Sequence, residues 1–218
     1  MIDYNPPQHE GLDILYQDDY LLILNKPSGL LSVPGRGEEK QDCLISRVQA
    51  EYPEALIVHR LDMSTSGLMV IALGKELERQ LSILFQKRKV NKKYIALVNG
   101  NFNPACGEVN LPLITDWPNR PKQKVDFKIG KPSRTKYKMK AYDTNKGASR
   151  VELTPITGRT HQLRVHMQAI NHPILGDELY ADSDALSKSE RLLLHASFLS
   201  FHHPVSDELL KFDSKPGF

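Results

Sequence analysis

The chain has 218 residues, 40% of them hydrophobic, which is enough for one large domain or two small ones with a substantial core. Its 29 Lys and Arg residues exceed its 26 Asp and Glu residues by three, so the net charge alone indicates no particular partner. The first residues lack a basic-then-apolar signal and no apolar run reaches membrane length, while Cys43 and Cys106 lie too far apart for a redox or metal motif. We therefore expect a soluble cytoplasmic protein with reduced cysteines and no membrane partner.

The chain opens with an irregular, Pro-containing arm over residues 1–12. Ile14–Tyr16 and Leu21–Leu24 are then predicted as two strands joined at residues 17–19, the pattern of a hairpin. Asn25–Leu30 follows with turn-forming residues, which taken alone are ordinary loop material.

Two amphipathic helices are predicted from apolar residues at helical spacing, over Gln41–Tyr52 and over Lys75–Lys87. Pro53 ends the first of them. Further strands are indicated by apolar, β-branched and alternating residues at Leu68–Leu73, Lys93–Val98, Ser149–Leu153 and Leu192–Leu199.

Positive charge is concentrated between residues 119 and 140, which carry nine Lys or Arg residues and one acid, Asp126. The second half alternates cations with Tyr137, Met139 and Ala141, so a strand would place the cations on one face. A shorter basic run lies at Lys87–Lys93. Phosphate backbones are the commonest partner of such surfaces, although a plain solvated face is the alternative.

The polar stretch His59–Gly67 lies between apolar segments, and it holds a carboxylate, Asp62, two residues after a guanidinium, Arg60. Its Ser, Thr and Gly residues favour a turn at the end of the sheet. From composition alone, an Asp that only accepts hydrogen bonds from turn amides is the simpler interpretation.

The pattern His59-Arg60-Leu61-Asp62-x-x-Thr65-Ser66-Gly67 resembles the catalytic motif of the RluA family of RNA pseudouridine synthases. The resemblance implies that Asp62 is the nucleophile in the isomerisation of uridine to pseudouridine within RNA. It also implies that the reaction uses no cofactor and no metal.

Other segments resemble further motifs of the same family. Asn25–Leu30 is similar to its first motif, and Lys93–Val98 to the motif that supplies the active-site tyrosine, which would be Tyr94. A tyrosine there would stack on the uracil. Leu192–Ala196 resembles the motif that forms an apolar floor, a role that falls on Leu193 or Leu194, with ordinary core packing as the alternative for both.

Gly158–His166 resembles the family's third motif, and we expect it to open a helix that continues to Ile170. In that motif the second arginine, here Arg164, pairs with the catalytic carboxylate. A guanidinium offers a rigid pair of donors, so it would hold Asp62 ionised and aimed.

The resemblance implies RNA partners, namely a hairpin loop of the 23S rRNA and a tRNA anticodon stem-loop. Arg60 would either fill the space of a flipped base or clamp a phosphate, and these two roles are equally compatible with the sequence. The segment Leu113–Val125 resembles an insertion that marks one member within the family. The other candidate RNA contacts are His59, Trp117, Arg120, Lys122, Lys124 and Arg159.

The fold class implied is α+β, with a mixed, mainly antiparallel sheet, flanking helices and a central RNA-binding cleft. Alternating strands with few helices favour the same class independently. The first family motif begins too early to leave room for a separate N-terminal RNA-binding domain. We therefore expect a single catalytic domain over residues 13–218 in a monomeric protein.

Two other functions are weighed against this one. A metal-dependent hydrolase could use His59, Asp62, His161, His166 and His195, but a spacing of five places His161 and His166 about 140° apart on a helix. A non-catalytic RNA-binding protein would make Asp62 and Arg164 a structural ion pair. That reading does not explain an acidic motif on an RNA-facing surface, where a carboxylate weakens binding.

Overall fold

The computed structural model describes residues 4–218, so the first three residues of the predicted arm lie outside the described part. The chain forms two compact units. The first comprises the residues up to Lys92 together with His195–Gly217, and the second comprises Lys93–Leu194 with Phe218.

The described residues form twelve strands and four α-helices, with short 3-10 helices at 38–40 and 117–119. The strands are β1 (Asp13–Gln17), β2 (Leu21–Lys26), β3 (Ala55–Ile57), β4 (Ser66–Leu73), β5 (Asn91–Asn99), β6 (Cys106–Asn110), β7 (Leu113–Thr115), β8 (Gln123–Val125), β9 (Arg134–Asp143), β10 (Ala148–Pro155), β11 (Leu194–His202) and β12 (Leu209–Asp213). The helices are α1 (Leu44–Glu51), α2 (Lys75–Gln86), α3 (Gln162–Ala169) and α4 (Ser183–Ser187).

The first unit is built on a mixed sheet in the order β1-β2-β4-β11, with β12 antiparallel to β11. β4 is antiparallel to β2 along one edge. Its other edge is shared, since its end pairs antiparallel with β3 and its start pairs parallel with β11. β4 is apolar almost throughout and buried, as expected of a central strand covered on both faces.

Both helices of the first unit lie close to their predicted positions. The apolar face of α2, with Leu77, Leu81 and Leu84, packs against a core formed by residues of β2, β4 and β11. α1 begins at Leu44 rather than Gln41, because Cys43 is extended and caps the helix instead of belonging to it.

The second unit carries an antiparallel sheet in the order β5-β10-β9-β6, and a separate two-stranded hairpin of β7 and β8. α3 packs on one face of the sheet through Leu163 and Met167, against Ala96, Val151 and Leu153. This face holds the apolar core of the unit.

The predicted start of α3 at Gly158 is wrong. His161 has a left-handed backbone with φ 52°, and the helix begins only at Gln162. A residue with positive φ cannot belong to a right-handed helix, so residues 158–160 form an exposed loop before it. The predicted end near Ile170 agrees with the observed end at Ala169.

The α+β class and the mixed, mainly antiparallel pairing are confirmed by this architecture. No helix among residues 4–218 is both long and apolar enough to cross a membrane.

Candidate active site

Asp62 lies half-buried in the turn between β3 and β4, and hydrogen bonds to the backbone of the turn hold it in place. The Gly29 N–H donates to the Met63 carbonyl oxygen at 2.9 Å. The Ser28 hydroxyl donates to the Ser64 carbonyl oxygen at 2.8 Å. Ser28 and Gly29, in the loop after β2, therefore hold the turn that carries Asp62. Their sequence alone indicates only an ordinary loop.

Lys26, the last residue of β2, brings a buried charge to this turn, and its side chain is 1% exposed. Its Nζ donates to the carbonyl oxygens of Pro27 at 2.8 Å, Leu30 at 2.7 Å and Met63 at 2.9 Å. Burial lowers the pKa of Lys26 to about 7, and the negative charge of Asp62 opposes that shift. An ammonium has three N–H groups and a neutral amine only two, so three carbonyl acceptors at these distances favour the ammonium form.

The two ends of the turn are fixed as well. The Ser32 hydroxyl donates to the Leu61 carbonyl oxygen at 2.7 Å and accepts from the Leu61 N–H at 3.1 Å. Gly67 has φ +111°, and a Cβ there would collide with the backbone of Ala196 on β11. Only glycine allows β4 and β11 to approach at this point, which explains the last residue of the motif.

Arg60 and His59 precede Asp62 and have different surroundings. Arg60 is exposed to solvent. The His59 ring stacks on Phe85 with centroids 4.4 Å apart, and its Nε2 accepts from the Val70 N–H at 3.1 Å. Burial, with a contribution from the charge of Lys92, lowers the pKa of His59 to about 3, so its ring is neutral. These contacts of His59 tie the turn to the core.

Arg164 in α3 forms a bidentate ion pair with Asp177 inside the second unit. Its Nε donates to Oδ2 at 2.8 Å and its Nη2 donates to Oδ1 at 2.6 Å, and the two side chains are 5% and 0% exposed. Asp177 Oδ1 also accepts from the N–H groups of Leu179 at 3.0 Å and Tyr180 at 3.2 Å. The orientation of Arg164 is therefore set by a carboxylate that is itself fixed by the backbone.

Asp177, like Lys26, is a residue that sequence reasoning missed. It follows Gly176 at the end of the apolar run Ile174–Leu175, and this pattern is typical of a turn. Nothing in this local pattern predicts an ion pair with Arg164.

Tyr180 connects this ion pair to the β7–β8 hairpin. Its hydroxyl accepts from the Gln123 N–H at 2.7 Å and lies 2.7 Å from His161 Nδ1. Its ring centroid lies 5.1 Å from the Arg164 guanidinium. Leu113 and Val165 join Tyr180 in one apolar cluster, so the hairpin is anchored beside Arg164.

Tyr94 lies half-buried near the start of β5 against the core of the second unit. Leu153 of β10 is opposite both Tyr94 and Tyr137, while the next residue, Glu152, is opposite Lys138. Directly opposite residues share a face of a sheet. The cations of β9 therefore lie on the face that Tyr94 does not use, a point that alternation alone could not decide.

The cations of this opposite face are partly matched by acids. Arg134 lies 3.2 Å from Glu108, and Lys93 and Lys140 lie 3.5 Å and 3.9 Å from Glu152. Exposed pairs of this kind contribute little to stability, about 0–1 kcal/mol each. They favour a solvated face for the strand half of the basic region.

The two candidate floor residues are both buried but belong to different apolar clusters. Leu194 lies in the cluster against which Tyr94 packs, together with Leu153. Leu193 packs instead with Ala148 and residues of α4 and its neighbouring segment. The structure thus distinguishes two residues that the motif left equivalent.

The predicted RNA contacts of the second unit lie on its surface. The Arg120 guanidinium stacks over the ring of Trp117 at 4.7 Å, and both side chains are exposed. Lys124 lies 3.8 Å from Asp116, and Lys122 is partly buried. Arg159 is exposed in the loop before α3, where its Nε donates to the Pro132 carbonyl oxygen at 3.3 Å.

A family model described as RNA pseudouridylate synthase matches residues 20–169, well over half of the chain, and the match includes Asp62, Tyr94 and Arg164. The chain belongs to the RNA pseudouridylate synthase family.

Individual relatives agree with this assignment. The dual-specificity RNA pseudouridine synthase RluA of Escherichia coli (strain K12) is 54% identical over 218 residues, covering 100% of this chain and 99% of the relative. The enzyme of the same name from Vibrio parahaemolyticus is 55% identical over 209 residues, covering 94% and 84%. The solved structure of human RNA pseudouridylate synthase domain containing 1 has a TM-score of 0.81 at 29% identity, covering 98% and 87%. The chain is therefore a pseudouridine synthase, an isomerase with the fold of that family, and the predicted likeness to RluA within the family is confirmed.

The histidines that a metal hydrolase could have used as ligands instead form hydrogen bonds inside this pseudouridine synthase. His166 is buried with Nδ1 2.9 Å from the Thr135 hydroxyl. His195 lies with its two ring nitrogens each 2.9 Å from a hydroxyl, those of Ser66 and Ser214. Within residues 4–218, no three His, Cys, Asp or Glu side chains are grouped to hold a metal ion.

We expect Lys26→Met to lower the free energy of unfolding of this pseudouridine synthase by about 2–3 kcal/mol, because three carbonyl oxygens lose a charged donor. Turnover per folded molecule should fall by less than about tenfold, since Lys26 acts on the backbone of the turn. Denaturant unfolding and a turnover assay on the folded fraction measure the two effects. The exposed Lys87→Met is the control, and equal unfolding midpoints for both variants would contradict the prediction.

Proposed function

We propose that this pseudouridine synthase, acting as a cytoplasmic monomer, converts specific loop uridines of the 23S rRNA and of tRNA anticodon stem-loops to pseudouridine, with Asp62 as nucleophile. The observation that carries the proposal is the Asp62 turn itself, fixed through the buried Lys26 in a chain 54% identical over its whole length to a dual-specificity enzyme.

The reaction is an isomerisation in which all atoms are retained. The bond between C1′ and the ring nitrogen N1 breaks, the base turns, and C1′ bonds to C5. The C5 proton is lost and N1 gains one, so no oxidant and no water is consumed, and the proposal includes no cofactor and no metal. Asp62 would attack C1′, attack the uracil ring or assist formation of a glycal, and each route uses an ionised carboxylate.

The proposal gives the other site residues roles in holding the base and the carboxylate. Tyr94 would stack on the uracil, a contact worth about 1–3 kcal/mol. Leu194 is the better candidate for the apolar floor, because it shares an apolar cluster with Tyr94. Arg164 keeps the role that the family motif gives it, as partner of the Asp62 carboxylate, and Asp177 would hold its guanidinium in a fixed orientation.

RNA recognition would use the exposed cations and the aromatic ring of the β7–β8 hairpin. Trp117 and Arg120 are stacked and exposed, and both kinds of side chain stack on splayed bases. A uridine inside a loop stack must be flipped before it reacts, at a cost of a few kcal/mol. Arg60 is exposed two residues before Asp62, so we propose that it fills the space left by that base.

The test uses two stem-loop RNAs, one with the sequence of an rRNA hairpin and one with that of an anticodon arm. Pseudouridine has the mass of uridine, so the digested nucleosides are separated by chromatography. We expect both RNAs to be converted, and excess EDTA to leave the rate unchanged once the magnesium that folds the RNA is supplied. Conversion of neither RNA would refute the proposal, and mapping pseudouridines in cellular RNA with and without the protein would identify the sites.

Arg60→Ala should reduce the single-turnover rate far more on a well-stacked hairpin than on a short unstructured oligonucleotide with the same uridine. The difference should be about tenfold or more, because only the hairpin requires the flipped base to be replaced in the stack. The control is Arg36→Ala, another exposed arginine of the same unit, which should affect neither substrate. Equal losses on both RNAs would show that Arg60 is a phosphate clamp.

A further inference from the structure

The most exposed large hydrophobic side chains of residues 4–218 lie close together in sequence. Phe127 is 78% exposed, Ile129 71% and Trp117 65%, and the next, Val205, is 52% exposed. Single exposed apolar residues are normal on protein surfaces and need no explanation. Three within one short segment form a group, and the proposed function gives no role to Phe127 or Ile129.

Phe127 and Ile129 project from a rigid turn that follows β8, which we call the apolar tip (residues 126–130). The Asp126 carboxylate accepts from the N–H groups of Lys128 at 2.9 Å and Ile129 at 3.1 Å. The Gly130 N–H donates to the Asp126 carbonyl oxygen at 3.0 Å, and a Cβ at Gly130 would collide with that same oxygen. The tip is thus held in one conformation that presents two apolar side chains to solvent.

The apolar tip is attached to the Arg164 side of the unit. The Asp126 N–H donates to the Pro112 carbonyl oxygen at 3.0 Å. Leu113 and Lys131 exchange two backbone hydrogen bonds at 2.8 Å and 3.0 Å, which close the base of the tip. Leu113 belongs to the apolar cluster of Tyr180, the ring that lies over Arg164. The tip is therefore attached, through Leu113 and Tyr180, to the part of the unit that holds Arg164.

The charge around the tip indicates the chemistry of its partner. Between residues 117 and 131 the cations are Arg120, Lys122, Lys124, Lys128 and Lys131, and Asp126 is the only acid. The Asp126 carboxylate is engaged within the turn, where the N–H groups of Ile129 and Lys128 hold its pKa below the usual value. Aromatic rings interleaved with cations are the pattern of surfaces that bind unpaired nucleotides.

We infer that the apolar tip is an RNA contact in which Phe127 stacks on an unpaired base of the substrate and Ile129 packs beside it. The inference rests on the proposed function and deepens it, because it adds a base-stacking contact to the phosphate contacts expected of the surrounding lysines. Its rigidity means that little conformational entropy is lost when the base binds.

The test compares Phe127→Ala and Ile129→Ala with the parent in equilibrium binding to an anticodon stem-loop RNA over a range of salt concentrations. We expect Phe127→Ala to weaken binding by about 5- to 150-fold, the span that loss of one base–aromatic stack covers, with the salt slope unchanged. Lys128→Ala should instead reduce the slope by about one unit, as loss of a phosphate contact does. Val205→Ala, an exposed apolar residue of the other unit, is the control and should bind as the parent does.

Two further variants separate stacking from simple apolar contact. Phe127→Trp keeps an aromatic face and should bind like the parent, whereas Phe127→Leu should bind almost as weakly as Phe127→Ala. Affinity of Phe127→Ala within about twofold of the parent, or equal rescue by leucine and tryptophan, would overturn the inference. Conversion of uridine by the parent is measured separately, so its absence counts against the proposed function while the affinities still decide the role of the tip.

Discussion

Asp62→Asn is expected to reduce pseudouridine formation by about 10³-fold or more, because an amide cannot serve as the nucleophile. The fold should be unaffected, since the bonds that fix the turn join Ser28, Gly29 and Lys26 to the backbone of Met63 and Ser64. Affinity for RNA should also be kept, because removing a negative charge does not oppose the binding of phosphates.

The measurement is a single-turnover assay on an anticodon stem-loop RNA, combined with equilibrium binding and thermal unfolding of the same samples. Asp19→Asn, which removes an exposed carboxylate from the same unit, is the matched control and should react like the parent. A rate for Asp62→Asn within about tenfold of the parent would remove Asp62 from the role of nucleophile.

The local parts of the fold follow from the sequence because they depend on neighbouring residues. Apolar spacing places α2 within one residue of its observed end, since a helix that covers a core needs apolar groups every three to four positions. The β1–β2 hairpin is found where its turn residues predict it. α3 begins later than predicted, because His161 has a left-handed backbone that apolar spacing does not predict.

The candidate site was predictable only where a motif marks it. His59–Gly67 identifies Asp62, but nothing in the sequence shows that Lys26 is buried with its Nζ bonded to Met63, a residue 37 positions away. Asp177 was missed for the same reason, since its pairing with Arg164 spans 13 positions and a loop. Sequence patterns indicate periodicity and turn-forming residues. Contacts between residues distant in sequence depend instead on how the chain packs.

The Arg164–Asp177 pair should make a large contribution to stability when only one partner is removed. We expect Asp177→Ala to lower the free energy of unfolding by about 3–5 kcal/mol, because the buried guanidinium loses the carboxylate that binds both its Nε and its Nη2. Two backbone N–H groups, those of Leu179 and Tyr180, lose their acceptor as well. For a protein of this size the loss corresponds to a fall in melting temperature of about 6–20 °C.

Replacing both partners separates the structural role of this pair from the proposed role of Arg164 as partner of the Asp62 carboxylate. Arg164→Met combined with Asp177→Leu fills similar volumes with apolar groups, and such replacements of buried ion pairs are often neutral or stabilising. We therefore expect the double variant to melt well above Asp177→Ala and yet to form pseudouridine about 10²-fold or more slowly than the parent, because the carboxylate of Asp62 loses its predicted guanidinium partner. Thermal unfolding and single-turnover rates, measured on the same samples, test both statements. Parent-like turnover in a stable double variant would mean that Arg164 is only a structural residue.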